Sequence, residues 1–154
     1  AAELNVNITR NLSGVSEGRQ RVVYVDSDAD NSMKLAADGD INTYWRTVHN
    51  QFYLAPYPHE IQVSLAKEAK VKGIKYTPRQ DSAEGRIAKY EIYLSQDGKE
   101  WGKAVASGTF KNSKEAQTVE FTPHQARYVK LQALSAADGG KQAAVSELEI
   151  LTAE

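Results

Sequence analysis

Val71–Trp101, VKGIKYTPRQDSAEGRIAKYEIYLSQDGKEW, carries two β-like runs around a polar connection and ends in a tight turn. In the first run Val71, Ile74 and Tyr76 alternate loosely with Lys72 and Lys75. The second run, Ile87, Tyr90, Ile92 and Leu94, is rich in β-branched and aromatic residues. Such residues favour the pleated, half-buried surface of a strand. The turn Gln96-Asp97-Gly98-Lys99 contains Asp-Gly, a pair that accepts positive φ in a hairpin. Between the runs, Thr77–Arg86 gathers Arg79, Gln80, Asp81, Glu84 and Arg86 on one short connection. A polar loop on a stiff sheet is where binding residues concentrate, although a solvated hairpin loop has the same composition.

Outward from this stretch the same patterns recur. Leu4–Ile8 and Glu60–Leu65 alternate apolar with polar residues, and Arg21–Val25 is a β-branched run. Val105–Phe110, Gln117–Phe121 and Arg127–Leu134 alternate again, and Ser146–Leu151 closes the chain. With the central pair these make about eight or nine short strands between turn residues, the pattern of an all-β sandwich or barrel. Helical turns are suggested only at Lys34–Ala37 and by the alanines near Ala143. No internal repeat, linker or low-complexity tract interrupts the chain, so residues 1–154 are expected to form a single domain.

Composition narrows the function classes. A chain of 154 residues can bury a real core, and 41% hydrophobic with 25% charged residues is ordinary for a soluble globular protein. The net charge of −1 implies no global attraction to nucleic acid, so any anion preference must come from local clustering. No run approaches the roughly 18 apolar residues that span a bilayer as a helix. The absence of cysteine excludes disulfides, thiolate metal sites and a cysteine nucleophile together. The opening Ala-Ala-Glu-Leu is compatible with the product of signal-peptide cleavage and equally with an arbitrary boundary.

Leu35–Trp45, LAADGDINTYW, packs two aspartates, an asparagine and a threonine around a glycine turn. Hard cations such as calcium take oxygen ligands from carboxylates, hydroxyls and carbonyls, and this turn can supply three or four. An Asx-turn with Thr43 capping a helical turn explains the same residues.

DGDINTYW, then PHEI (Pro58–Ile61), then PRQD…GRIAKYEIYLSQDGKEWGKAVASGTF, then ARYVKLQAL and SELEIL follow one another in a familiar order. Together they resemble the discoidin or coagulation factor type C domain, and within it carbohydrate-binding module family 32. The resemblance covers Leu35 to Leu151 and implies an eight-stranded jelly-roll β-sandwich, a galactose-binding-domain-like fold. It also implies a non-catalytic sugar-binding module of a glycan-active system, secreted or periplasmic, and a monomer.

The family usually holds one structural calcium ion. By resemblance Asp38, Thr43 and Glu147 match its side-chain ligands, with carbonyls of Leu35, Asp40 and Ser146 completing the shell. Its expected role is to tie the turn to the last strand, with no part in bond breaking.

At the sugar site the sequence departs from galactose-binding members. These typically carry His after the DG…W tryptophan, Arg in the PRQD motif, Asn before GRI, and an aromatic residue before the last strand. Here the positions hold Arg46, Arg79, Glu84 and, beside Lys141, Gln142. Only Arg79 is retained. Cations thus replace neutral-sugar contacts, and Arg46, Arg79 and Lys141, with His49 or Arg86, are placed to line one rim. Guanidinium forks match carboxylates bidentately, so the leading expectation is an acidic galactose-configured polysaccharide, polygalacturonic acid (pectin) first. A neutral galactoside or N-acetylated galactoside is the alternative, and an Arg46–Glu84 pair of spectators would undercut the charge argument.

Other residues have simpler readings. His59 is expected to be structural, His124 to be solvated in a Thr-Pro-His-Gln turn, and Trp101 to pack between sheets. Tyr53 and Tyr57 are the remaining aromatic candidates for sugar contact, with Phe52 turned inward. Asp81, Glu84, Asp97 and Glu100 could be paired on paper for glycoside hydrolysis. Each sits in a turn whose chemistry already accounts for it, and no Ser-His-Asp order, zinc spacing or phosphate loop occurs. A discoidin-like adhesion role toward protein or lipid is the third class, but the disulfide clasp common in that branch is impossible here. Neither nucleic acid nor membrane insertion is expected.

Overall fold

The computed structural model describes residues 6–13, 24–25, 40–42, 44–46, 58–140 and 142–153. Within them the chain is a jelly-roll β-sandwich of antiparallel strands without a helix. The strands are β1 (Val6–Ser13), β2 (Tyr24–Val25), β3 (Trp45–Arg46), β4 (His59–Thr77), β5 (Lys89–Ser95), β6 (Ala106–Thr109), β7 (Gln117–Ala133), β8 (Ala144–Val145) and β9 (Glu147–Ala153). Neighbours run β2-β1-β4-β7-β5-β6, β9 joins the free side of β4, and β3 pairs β8 separately.

Two strands are far longer than sequence patterning suggests. Glu60–Leu65 and Val71–Tyr76 are halves of β4, while Gln117–Phe121 and Arg127–Leu134 belong to β7. The apparent turn at Thr122–Gln125 is strand, with His124 opposite Val71 and its side chain exposed. The expected break was a lapse of alternation, and the lapse has a different cause. Register shifts between Ser64 and Ala69, and between Val71 and Gly73, let the paired strands bend. The first half of β4 accordingly lies between β1 and β7, and the second half between β7 and β9. Gly73 marks one bulge, where a Cβ would come 2.4 Å from the Val119 carbonyl oxygen.

Nor do the flanks of Thr77–Arg86 form a hairpin. β4 and β5 each pair with β7, so β7 lies between them and the loop crosses over the end of the sandwich. The core joins Ile61, Val63 and Leu65 of one half of β4 to Val71, Ile74 and Tyr76 of the other, with Ile92 and Leu131. Phe110 closes the loop end of this core, its ring centroid 4.1 Å from Tyr90 and 4.7 Å from Tyr76.

Two smaller expectations are corrected. The alanines near Ala143 are buried and enter β8, because small side chains let this segment press against the site loop. Trp101 is half-buried at the surface, where Lys130 Nζ lies 4.7 Å from its ring and 4.6 Å from that of Tyr93. His59 is buried in β4, as its strand-entry position suggests.

Candidate functional site

Three chain segments meet where β4 ends. The site loop, residues 78–86, leaves Thr77 and reaches Ile87, which bridges to Ala136. Gly85 turns it with φ of +79°, and its carbonyl accepts the Ala144 amide at 2.9 Å. Ala144 is itself paired with Arg46, because β3 and β8 register Arg46 with Ala144 and Trp45 with Val145. Arg46, Gly85 and Ala144, far apart in sequence, therefore adjoin. Beneath them the buried Tyr76 hydroxyl accepts the Ile87 amide at 3.2 Å and donates to the Ala144 carbonyl at 3.2 Å. Thr77 O accepts the Ser146 amide at 2.9 Å, which fastens β9's approach to the same point.

Arg79 is the best-held polar side chain of this end. Its Nε donates to Asp81 Oδ1 at 2.5 Å and its Nη2 reaches Asp81 Oδ2 at 3.5 Å, a bidentate grip. Glu84 Oε2 lies 3.8 Å from Nη1, an ion-pair distance too long for a hydrogen bond. The Tyr44 ring carries the guanidinium at 4.4 Å from its centroid. These contacts leave the Arg79 side chain 12% exposed, with Nη1 a buried donor without a hydrogen-bond partner. The Asp81 carboxyl is held below the usual carboxylate range, first by its hydrogen bond from Arg79 and, more weakly, by the charge of Arg46. Arg46, Arg79, Asp81 and Glu84 thus share one electrostatic neighbourhood, whose carboxylates offset much of its positive charge.

Arg86 sits differently from its expected place on the rim. Its Nη1 donates to Asn112 Oδ1 at 3.0 Å and its backbone carbonyl accepts the Ala137 amide at 2.8 Å, so it braces two loops. His49, Tyr53 and Lys141 of the expected sugar set lie outside the described residues, as do Leu35, Asp38 and Thr43 of the metal set. Of the latter set, Asp40 is exposed and its Oδ1 accepts the Asn42 amide at 2.8 Å, the Asx-turn expected of this composition. Ser146 is fully buried with its hydroxyl lacking a hydrogen-bond partner, and Glu147 beside it is half-buried. Among the described residues no three His, Asp or Glu side chains cluster as a metal site.

Sequence reasoning passed over Tyr44, Asp81 as a partner of Arg79, and Gln80. Gln80 Nε2 donates to Pro78 O at 2.7 Å and Lys114 O at 2.9 Å, joining the site loop to the next one. Only Tyr44 had a usable signal. It is an aromatic residue inside the DGDINTYW stretch that the sequence already marked as unusual.

The F5/8 type C domain model matches residues 20–148. A sialidase of Micromonospora viridifaciens is 36% identical over 154 residues, covering 97% of this chain and 24% of that protein. The family 32 module of Clostridium perfringens NanJ, solved in complex with galactose, superposes with TM-score 0.73 at 28% identity, covering 96% of this chain and 92% of that one. A pectin-binding carbohydrate-binding module superposes with TM-score 0.68 at 25% identity, covering 97% and 94%. The chain belongs to the F5/8 type C family, and the solved structures it resembles include family 32 carbohydrate-binding modules. It spans about a quarter of the length of the curated relatives it matches, which are enzymes.

Proposed function

We propose that this chain is a non-catalytic module that holds galactose-configured units of an acidic polysaccharide at the Arg46–Arg79–Ala144 end, with galacturonan the leading ligand. The reading is supported by the Arg46–Ala144 pairing, which brings a second cation into the electrostatic neighbourhood of Asp81 on the Arg79 loop. Likeness to a pectin-binding module supports it. Among the described residues of this end, the carboxylates Asp81 and Glu84 are engaged with Arg79, which supports a holding role for them. A neutral galactoside is the second reading, favoured by those same carboxylates and by likeness to a galactose-bound module. Secretion or periplasmic residence suits a module that meets a polysaccharide, and it is proposed with this role, as is a monomeric state.

The family's calcium is proposed here too. The β3–β8 pair joins the strand that follows the Leu35–Tyr44 segment to the strand before Ser146 and Glu147, and the partnerless Ser146 hydroxyl suits an oxygen-rich site. Asp38, Thr43 and Glu147, with carbonyls of Leu35, Asp40 and Ser146, would hold the ion. Bound there, calcium supplies a cross-link between chain segments.

Affinity electrophoresis against neutral galactan, galacturonan and other acidic glycans tests the ligand. Galacturonan should retard the protein most, and added salt should weaken that retention through screening. Arg79→Ala and Arg46→Ala should cost more than His124→Ala. Salt-insensitive binding to galactose with indifference to galacturonan would select the neutral reading, and reproducible sugar release by homogeneous protein would end the non-catalytic one.

A further inference from the structure

Arg79 brings little free positive charge to the site, because both Asp81 and Glu84 lie on its guanidinium. The neighbouring loop between Phe110 and β7 is built differently. Gln117 Oε1 accepts the Lys111 amide at 2.8 Å, and its Nε2 donates back to Lys111 O at 3.0 Å. Inside this clasp the Ser113 amide donates to Lys111 O at 2.9 Å and the Glu115 amide to Ser113 Oγ at 3.1 Å. Two site-loop side chains then fasten the loop: Gln80 to Lys114 O and Arg86 to Asn112 Oδ1. Lys111 and Lys114 are both exposed on it, and no ion pair holds either among the described residues.

We propose that Lys111 and Lys114 form a second contact for an acidic polysaccharide, taking the carboxylates of units next to the one held at Arg79. The proposal rests on the galacturonan reading. Ammonium groups on flexible stems act as point charges and tolerate the varied placement of carboxylates along a chain, where a guanidinium fork demands one geometry. The loop is held in place by its own hydrogen bonds, so little ordering is needed when a polymer arrives. Arg79 then reads the sugar, and the loop lysines read the charge of its neighbours.

The test compares Lys111→Ala/Lys114→Ala with wild type for polygalacturonate and for monomeric galacturonic acid at two salt concentrations. A Lys99→Ala/Lys103→Ala variant serves as control, since it removes equal charge after β5, whose seven residues carry the chain about 20 Å from the site end. Melting curves should be unchanged, because all four side chains are exposed. The loop variant should lose roughly three- to tenfold in polymer affinity, the scale of two exposed charge contacts. Its salt dependence should be shallower, while affinity for the monosaccharide stays as in wild type and the control changes less than the loop variant. Unchanged polymer affinity and salt dependence in the loop variant would overturn the second contact alone, as would an equal loss in the control. A wild-type protein that binds galactose but not polygalacturonate would overturn the galacturonan reading and the second contact with it.

Discussion

The Tyr76 phenol donates to the Ala144 carbonyl at 3.2 Å from within the core, and the same oxygen accepts the Ile87 amide at 3.2 Å. One buried oxygen thereby joins β4 to both segments that shape the candidate site. The arrangement works because neither backbone group has water to turn to, so the hydroxyl satisfies two groups whose neglect would be costly.

Tyr76→Phe keeps the ring contact with Phe110 but removes both bonds. It should lower stability by about 1–3 kcal/mol, the usual cost of leaving buried polar groups unpaired. Burial pushes the phenol pKa well above its ordinary 10.0. A folded-state value above the unfolded one gives stability that is whole below about pH 10 and is lost as pH climbs. Wild type should therefore lose melting temperature more steeply above about pH 10 than Tyr76→Phe; parallel curves would count against the phenol's burial.

Gly85→Ala should damage both fold and binding. Its φ of +79° disfavours a side chain, and a Cβ would meet Ala144 Cβ and N at 2.9 Å each. Strain of roughly 1–3 kcal/mol is expected from the backbone alone. Chemical denaturation reads the stability loss, and gel retention on polysaccharide should fall with it because the alanine forces two site segments apart. A variant as stable as wild type would contradict the close approach.

Asp97 should titrate low. Amides of Glu100 and Lys99 and the Ser95 hydroxyl donate to its Oδ1 at 2.9, 2.8 and 2.9 Å, holding its carboxyl at about 2 against an ordinary 3.8. A depressed value gives stability present above the unfolded pKa and lost as pH falls from 3.8 toward about 2. An NMR titration that placed this carboxyl near 3.8 would show that the turn bonds do not persist in solution.

Calcium removal should lower the melting temperature, since an ion that binds only the folded chain stabilises it by mass action. The effect should scale with free calcium and vanish in Glu147→Gln. A melting curve indifferent to chelator would remove the ion from the account.

Much of the site was legible in the sequence and some was not. Arg79 stood out because the PRQD motif lies on a loop between two strand patterns, whereas the positive φ of Gly85 emerged only from the structure. That Arg79 would be held by Asp81 was hidden, since a carboxylate two residues away also suits a plain turn. The brace from Arg86 to Asn112 and the clamp from Gln80 to Lys114 span 26 and 34 residues, and no periodicity carries such information.

By itself the sequence determined the all-β class and the strand-rich pattern, because side-chain alternation and turn chemistry are local consequences of backbone geometry. By resemblance it also marked Arg46, Glu84 and Gln142 as departures from the family's galactose-binding pattern. Only the tertiary structure decided that β4 and β7 each run on through their bulges, that β7 separates the flanks of the site loop, and that Arg46 meets Ala144. Strand partners are chosen by burial across the whole sheet, and charges are matched by whichever loops that choice brings together. Both depend on the entire chain, so neither can be read from one stretch of it.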